Sequence, residues 1–186
     1  MFERLTVGAR AVVRDAGAHA ERTGSDTIGE PELLLAVLDR RGTPAAAALD
    51  GLGAPRAALA DDLAAARRRA GLTAADAAAL AGLGIDVEEV IARVEEAHGA
   101  GALAAGGRRG GRGKRMRRAF APEGKAVLER ALRIALGRGD RHVGDEHLLL
   151  ALTARSGPAG AVLAGRGVTY EAVARTLARP PAERAG

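Results

Sequence analysis

One pattern constrains this chain more than any other: it contains two related halves. Ile28-Gly29-Glu30-Pro31-Glu32-Leu33-Leu34-Leu35-Ala36-Val37 is matched, 115 residues later, by Val143-Gly144-Asp145-Glu146-His147-Leu148-Leu149-Leu150-Ala151-Leu152. The same offset pairs Ala11-Val12-Val13 with Ala126-Val127-Leu128, Arg10 with Lys125, Leu5 with Phe120, Ala16 with Ala131 and Ala20 with Ala135. After a one-residue gap, Pro44-Ala45 pairs with Pro158-Ala159, Leu49 with Leu163 and Gly53 with Gly167. Repetition of this kind implies one supersecondary unit used twice.

The periodicity within each half is helical. Leu5, Ala9, Val12, Val13, Ala16 and Ala20 fall on one face of a helix. Leu33 to Leu38 is apolar all round, which predicts a short buried central helix, and Pro31 suits its first turn. Gly51-Leu52-Gly53 then breaks the chain before another helix. Four helices per half are expected, at 6–22, 31–40, 44–50 and 55–70, then 121–137, 146–154, 158–164 and 169–178. No segment shows strand alternation, so the class is all-α.

A smaller echo lies between the halves. Ala79-Leu80-Ala81-Gly82-Leu83-Gly84-Ile85 repeats Ala48-Leu49-Asp50-Gly51-Leu52-Gly53-Ala54 at an offset of 31. This predicts an extra helical hairpin, its second helix capped by Asp86 and striped by Val87, Val90, Ile91 and Val94. The expected organisation is a first repeat (1–70), an inserted hairpin (71–105), a Gly/Arg linker (106–118), a second repeat (119–178) and a disordered tail (179–186).

Composition enters where partners are concerned. The chain carries a formal charge of +5. Residues 106–118 alone supply +7, and without them the rest sums to −2. The folded part is therefore not basic. The run has five Gly and almost nothing apolar, and it reads as a solvated linker. Its functional alternative is nucleic-acid binding through Arg108, Arg109, Arg112, Lys114, Arg115, Arg117 and Arg118, although it lacks interleaved aromatics for base stacking. It is not a phosphate-binding loop, because Arg115 stands where Ser or Thr is needed after Gly113-Lys114.

Other chemistries are argued against by residue type and spacing. There is no Cys, which removes disulfides, thiolate metal sites and thiol nucleophiles. His142, Glu146 and His147 do not have metalloprotease spacing, so no metal site is expected. Adjacent acids such as Asp61-Asp62 point about 100° apart on a helix, a poor catalytic pair. No cofactor motif and no enzyme follow. No run of about 18 apolar residues exists and the N-terminus lacks signal-peptide form, so a cytoplasmic, non-membrane protein is expected.

The opening Met1-Phe2-Glu3-Arg4-Leu5-Thr6 and the doubled helix-start motif resemble the N-terminal domain of Clp-type AAA+ unfoldases. In that family two four-helix repeats each carry Ile/Val-Gly-Thr-Glu-His-Leu-Leu-Leu-Gly-Leu. The resemblance implies a non-enzymatic protein-binding module. It would work as adaptor, decoy or regulator beside Clp unfoldase and protease components, their substrates or adaptors. The unfoldases continue into ATPase modules. This sequence holds no Walker A motif, so a free-standing repeat domain is the expectation.

The resemblance also implies ligands: phosphoarginine, taken by the Glu of the Thr-Glu-His triplet, and cyclic peptide antibiotics. In the second half Glu146 stands at that Glu position, with Asp145 replacing Thr and His147 retained. In the first, Pro31 stands there between Glu30 and Glu32, so that site is lost or rebuilt from a neighbouring carboxylate. A carboxylate suits a guanidinium because it accepts two N–H bonds at once. Phe2 and Leu5 are the candidates for a hydrophobic ligand groove. The competing reading of Glu146 is a first-turn acid favoured by the helix dipole.

Overall fold

The computed structural model describes residues 2–69, 72, 74–99 and 118–178. The basic residues 106–117 and the tail 179–186 lie outside the described residues. The chain is all-α. Its helices are α1 (Val7–Arg22), α2 (Glu30–Leu38), α3 (Pro44–Gly51), α4 (Arg56–Arg68), α5 (Ala74–Gly82), α6 (Val87–His98), α7 (Pro122–Gly137), α8 (Asp145–Thr153), α9 (Pro158–Gly165) and α10 (Tyr170–Ala178).

Each half forms the same four-helix unit for the same reasons. The α1 stripe of Ala9, Val12, Ala16 and Ala20 is fully buried, as is its α7 counterpart of Val127, Ala131 and Ala135, with Leu128 nearly so. These small side chains let α1 lie close against α2, and α7 against α8. The apolar runs of α2 and α8 form the centre: Leu33, Leu34, Leu148, Leu149, Leu150 and Leu152 are wholly inaccessible. Full burial of each such side chain stabilises the fold by roughly 1.5–3 kcal/mol. A single apolar cluster runs through both halves.

Helix ends follow the sequence closely. Gly53 and Gly84, 31 residues apart, both take positive φ, at 62° and 80°. In each case the next residue reaches back over the helix end, Ala54 N–H to the Leu49 carbonyl (3.0 Å) and Ile85 N–H to the Leu80 carbonyl (2.9 Å). This is the left-handed helix stop that only Gly adopts without steric cost. The smaller sequence echo is thus one turn built twice. Asp86 caps α6 by accepting from the Glu88 and Glu89 N–H groups (2.9 and 3.2 Å).

Two parallel strand contacts are absent from the sequence expectations. β1 (Thr27–Ile28) pairs with β2 (Ala119–Phe120), and Leu5 bridges Val143. Two-residue strands have no alternation to detect. They follow a rule nonetheless. At the repeat offset Leu5 becomes Phe120 and Ile28 becomes Val143, so the two contacts are one contact with the halves exchanged. The hydrogen bonds repeat as well: Thr6 N–H to the Val143 carbonyl and Ala121 N–H to the Ile28 carbonyl, both 3.0 Å. The pattern continues as α4 packs on α9 while α10 packs on α3. Each half is completed by the other, so the repeats interlock.

Candidate functional site

Helices α2 and α8 begin with the doubled motif, and both starts are built alike. The Gly29 N–H donates to Glu32 Oε2 at 2.8 Å, and the Gly144 N–H donates to His147 Nδ1 at 3.0 Å. Glu32 and His147, equivalent by the repeat, are thus third-position caps of their own helices. Glu32 also accepts from Arg67 Nη1 of α4 at 2.8 Å. His147 Nε2 meets Asp140 Oδ2 at 2.9 Å. With Nδ1 accepting from Gly144, the neutral ring carries its proton on Nε2 and donates it to Asp140. Both side chains are almost wholly buried.

The acids at the first helical position cross to the other repeat. Glu30 is 2% exposed, and its Oε1 accepts from Arg155 Nε, just beyond the end of α8, at 2.7 Å. Its Oε2 lies against Gly157, ahead of α9, where any Cβ would collide with it. Asp145 is equally buried and hydrogen-bonds to Thr43, the N-cap of α3. The start of each central helix therefore meets the loop after the end of the other, and α2 and α8 run antiparallel. A carboxylate placed at a helix N-terminus is favoured by the macrodipole. Glu30 Oε2 and Asp145 Oδ2 have no hydrogen-bond partner among the described residues.

The second position separates the halves. Pro31 has no side-chain acceptor. Glu146 does, and its side chain is 20% exposed, the most accessible acid of the two motifs. Its carboxylate folds back over Gly144, and Oε1 stands 3.1 Å from His147 Nδ1.

These groups shift one another. Burial pushes the Asp145 carboxyl up, and the neighbouring Glu146 charge adds to this against the Thr43 bond. Burial opposes ionisation of Glu146, but the charged form of the His147 ring, with Nδ1–H then facing Oε1, and the Glu146 backbone N–H outweigh it and hold the carboxyl below its ordinary value. Burial likewise opposes the charged His147 ring, and the carboxylates of Glu146 and Asp140 outweigh it, so its pKa is raised. Glu146 is thus the acid of the pair that carries the charge, with Asp145 the better proton holder.

Two stretches, residues 70–166 and 119–180, match the family model of the Clp repeat (R) N-terminal domain, together more than half of the chain. The chain belongs to the Clp repeat N-terminal domain family. The crystal structure of the N-terminal domain of the caseinolytic protease associated chaperone ClpD from Arabidopsis thaliana superposes with a TM-score of 0.52 at 19% identity, covering 95% of this chain and 94% of that one. That match is one of fold. Clp N-terminal domains are protein-interaction modules of Clp unfoldases and are not catalytic.

In this Clp repeat domain the remaining expected residues are scattered. Leu5 is 3% exposed, bridged to Val143 and packed in the shared core. Phe2 belongs to a short 3-10 turn, Phe2–Arg4, and its side chain lies outside what is described. Arg118 turns back to the first repeat, where its Nη1 donates to the Ser25 carbonyl and lies 3.9 Å from Asp26. Arg108, Arg109, Arg112, Lys114, Arg115 and Arg117 lie outside the described residues. No single helix among the described residues is long and apolar enough to cross a membrane.

The sequence reading missed that the acids at 30 and 145 cross between repeats. The signal available was their equivalence in the motif, but one sequence does not say whose loop an acid will meet.

Proposed function

We propose that this chain is a receptor for proteins marked or presented for Clp-dependent degradation, acting as adaptor, decoy or regulator, and that Glu146 is its ligand-facing acid. The observation that carries this is the contrast among the motif acids. Glu30, Glu32 and Asp145 are buried within the fold, whereas the Glu146 side chain is 20% exposed and its carboxyl is held below its ordinary pKa. An ionised carboxylate at a helix start accepts a guanidinium in fork geometry. The helix N-terminus beside it offers N–H groups and a positive dipole end to a phosphate. The two together fit phosphoarginine, the ligand that the family resemblance implies. Pro31 gives the first repeat no counterpart. Peptide-like antibiotics are the second ligand class the resemblance implies.

A reconstituted Clp unfoldase–protease degrading an arginine-phosphorylated substrate provides the test. Adding the wild-type chain changes the degradation rate, up for an adaptor and down for a decoy, and Glu146→Ala removes most of that change. An unaltered rate at saturating protein, with no Clp component or substrate captured on the immobilised chain, contradicts the proposal.

A further inference from the structure

A cleft of about 450 Å³ opens at the other end of α8, lined by residues that include Arg130, Thr153, Arg155, Ser156, Tyr170 and Glu171. In the first repeat the equivalent side chains are tied to one another, and the repeat alignment shows what has changed. Arg155 corresponds to Arg40, Arg130 to Asp15, Tyr170 to Arg56 and Ala164 to Asp50. In the first repeat Arg40 is neutralised by Asp15 at 3.6 Å. Arg56 there donates to the Arg40 carbonyl (2.6 Å), the Ala46 carbonyl (3.0 Å) and Asp50 Oδ1 (2.7 Å), stapling the loop to its helices.

Asp15, Arg56 and Asp50 are all replaced in the second repeat, while Arg40 is kept as Arg155. An acid has become Arg130, so two guanidinium groups line one cleft. The stapling arginine has become Tyr170, and its acid has become Ala164. Arg155 uses Nε on Glu30, which fixes its side chain. Among the described residues, its terminal nitrogens have no hydrogen-bond partner, and every nitrogen of Arg130 and the Tyr170 hydroxyl have neither a hydrogen-bond nor an ion-pair partner. Glu30 meets the Arg155 charge and Glu171 lines the same cleft, so what the lining offers a ligand is N–H and O–H donors without partners rather than a net positive field. Guanidinium groups flanked by hydroxyls, one of them held in place by Glu30, are the chemistry that recognises oxyanions.

We infer that this cleft binds an oxyanion, carboxylate or phosphate, carried on a partner polypeptide. Its volume falls in the range of sites for molecules well larger than a single ion. Glu171, the one acid in the lining, sets the balance: it disfavours high negative charge density and weakens, without abolishing, anion binding.

The test is titration of the full chain with a fluorescent hexaglutamate peptide at low salt, with inorganic phosphate as competitor. Arg130→Asp restores the first-repeat charge and should weaken binding about tenfold or more, since a charge-assisted hydrogen bond is lost and a like charge gained. Arg130 is exposed, and an unchanged circular dichroism spectrum checks the fold. Tyr170→Arg, copying the staple, should also weaken binding, and Glu171→Gln should strengthen it about two- to fivefold. Arg10→Asp, on the exposed side of α1, makes the same charge change elsewhere and should leave binding near wild type. Phosphate alone should compete only at far higher concentration than a second acidic peptide; phosphate competing as well as the peptide makes the ligand a free anion and overturns the polypeptide assignment. Absence of peptide binding to the wild type, wild-type affinity in Arg130→Asp, or an equal loss in Arg10→Asp overturns the site itself.

Discussion

The two repeats share a backbone plan and differ in what they do with their polar residues. In the first, Pro31 removes the acceptor at the second helical position, Glu32 is tied to Gly29 and Arg67, and Arg56 and Asp15 hold the loop after α2. In the second, Glu146 stays partly open, His147 replaces the Glu32 cap, and the loop after α8 is left unstapled beside two arginines. Duplication supplied two copies of one unit. The interlock needs both as structure, but only one of them has to keep accessible charged groups. A helix of nine residues, about 13 Å long by its rise per residue, separates the acid at one end of α8 from the arginines at the other.

This comparison is breakable in several ways. The largest effect should come from the shared core. Leu34→Ala and Leu149→Ala, equivalent by the repeat and both fully buried, should each cost about 2–5 kcal/mol. Both should do so within one cooperative transition in urea, followed by circular dichroism. Separate transitions for the two halves would show that they fold independently and would undo the interlock.

Next comes the exchanged acid. Arg155→Ala leaves the buried Glu30 carboxylate without its partner and should cost about 1–3 kcal/mol. Glu30→Gln in the same chain should return much of that loss. Arg40→Ala removes only a half-exposed pair with Asp15 at 3.6 Å and should cost under about 1 kcal/mol. Equal losses would mean that the crossing of Glu30 is not what distinguishes the two loops.

Smaller still is the effect of pH. The raised His147 pKa contributes stability that is fully present below the ordinary imidazole value and lost as pH rises through the folded-state value. The lowered Glu146 pKa contributes stability present above the ordinary carboxylate value and lost as pH falls through the folded-state value. Together they favour a maximum between the two ranges, and Glu146→Gln should flatten it. Urea midpoints measured from pH 3 to 9 check both statements.

Much of this molecule was legible in the sequence, and what was not has identifiable causes. The helices were readable because alanine and leucine recur at helical spacing, and because Gly53 and Gly84 mark stops that no other residue makes as cheaply. The strand contacts were not, since two residues carry no period. The motif acids were ambiguous. An acid in a first helical turn satisfies the dipole, caps the helix or faces a ligand, and only the packing of α2 against α8 decides among these. That packing makes Glu30 and Asp145 interlock residues, Glu32 a cap, and leaves Glu146 open. The replacement of Asp15 by Arg130 was visible in the repeat alignment, but nothing linear brings residues 130, 155 and 170 to one cleft.

The most direct measurement is the stoichiometry of phosphoarginine binding by titration calorimetry, in the wild type and in Glu146→Ala. One site per chain, lost in the variant while the unfolding free energy from urea titration stays within about 1 kcal/mol of wild type, is the outcome expected if the second repeat alone keeps an open acid. Two sites, or a single site indifferent to Glu146, would contradict it.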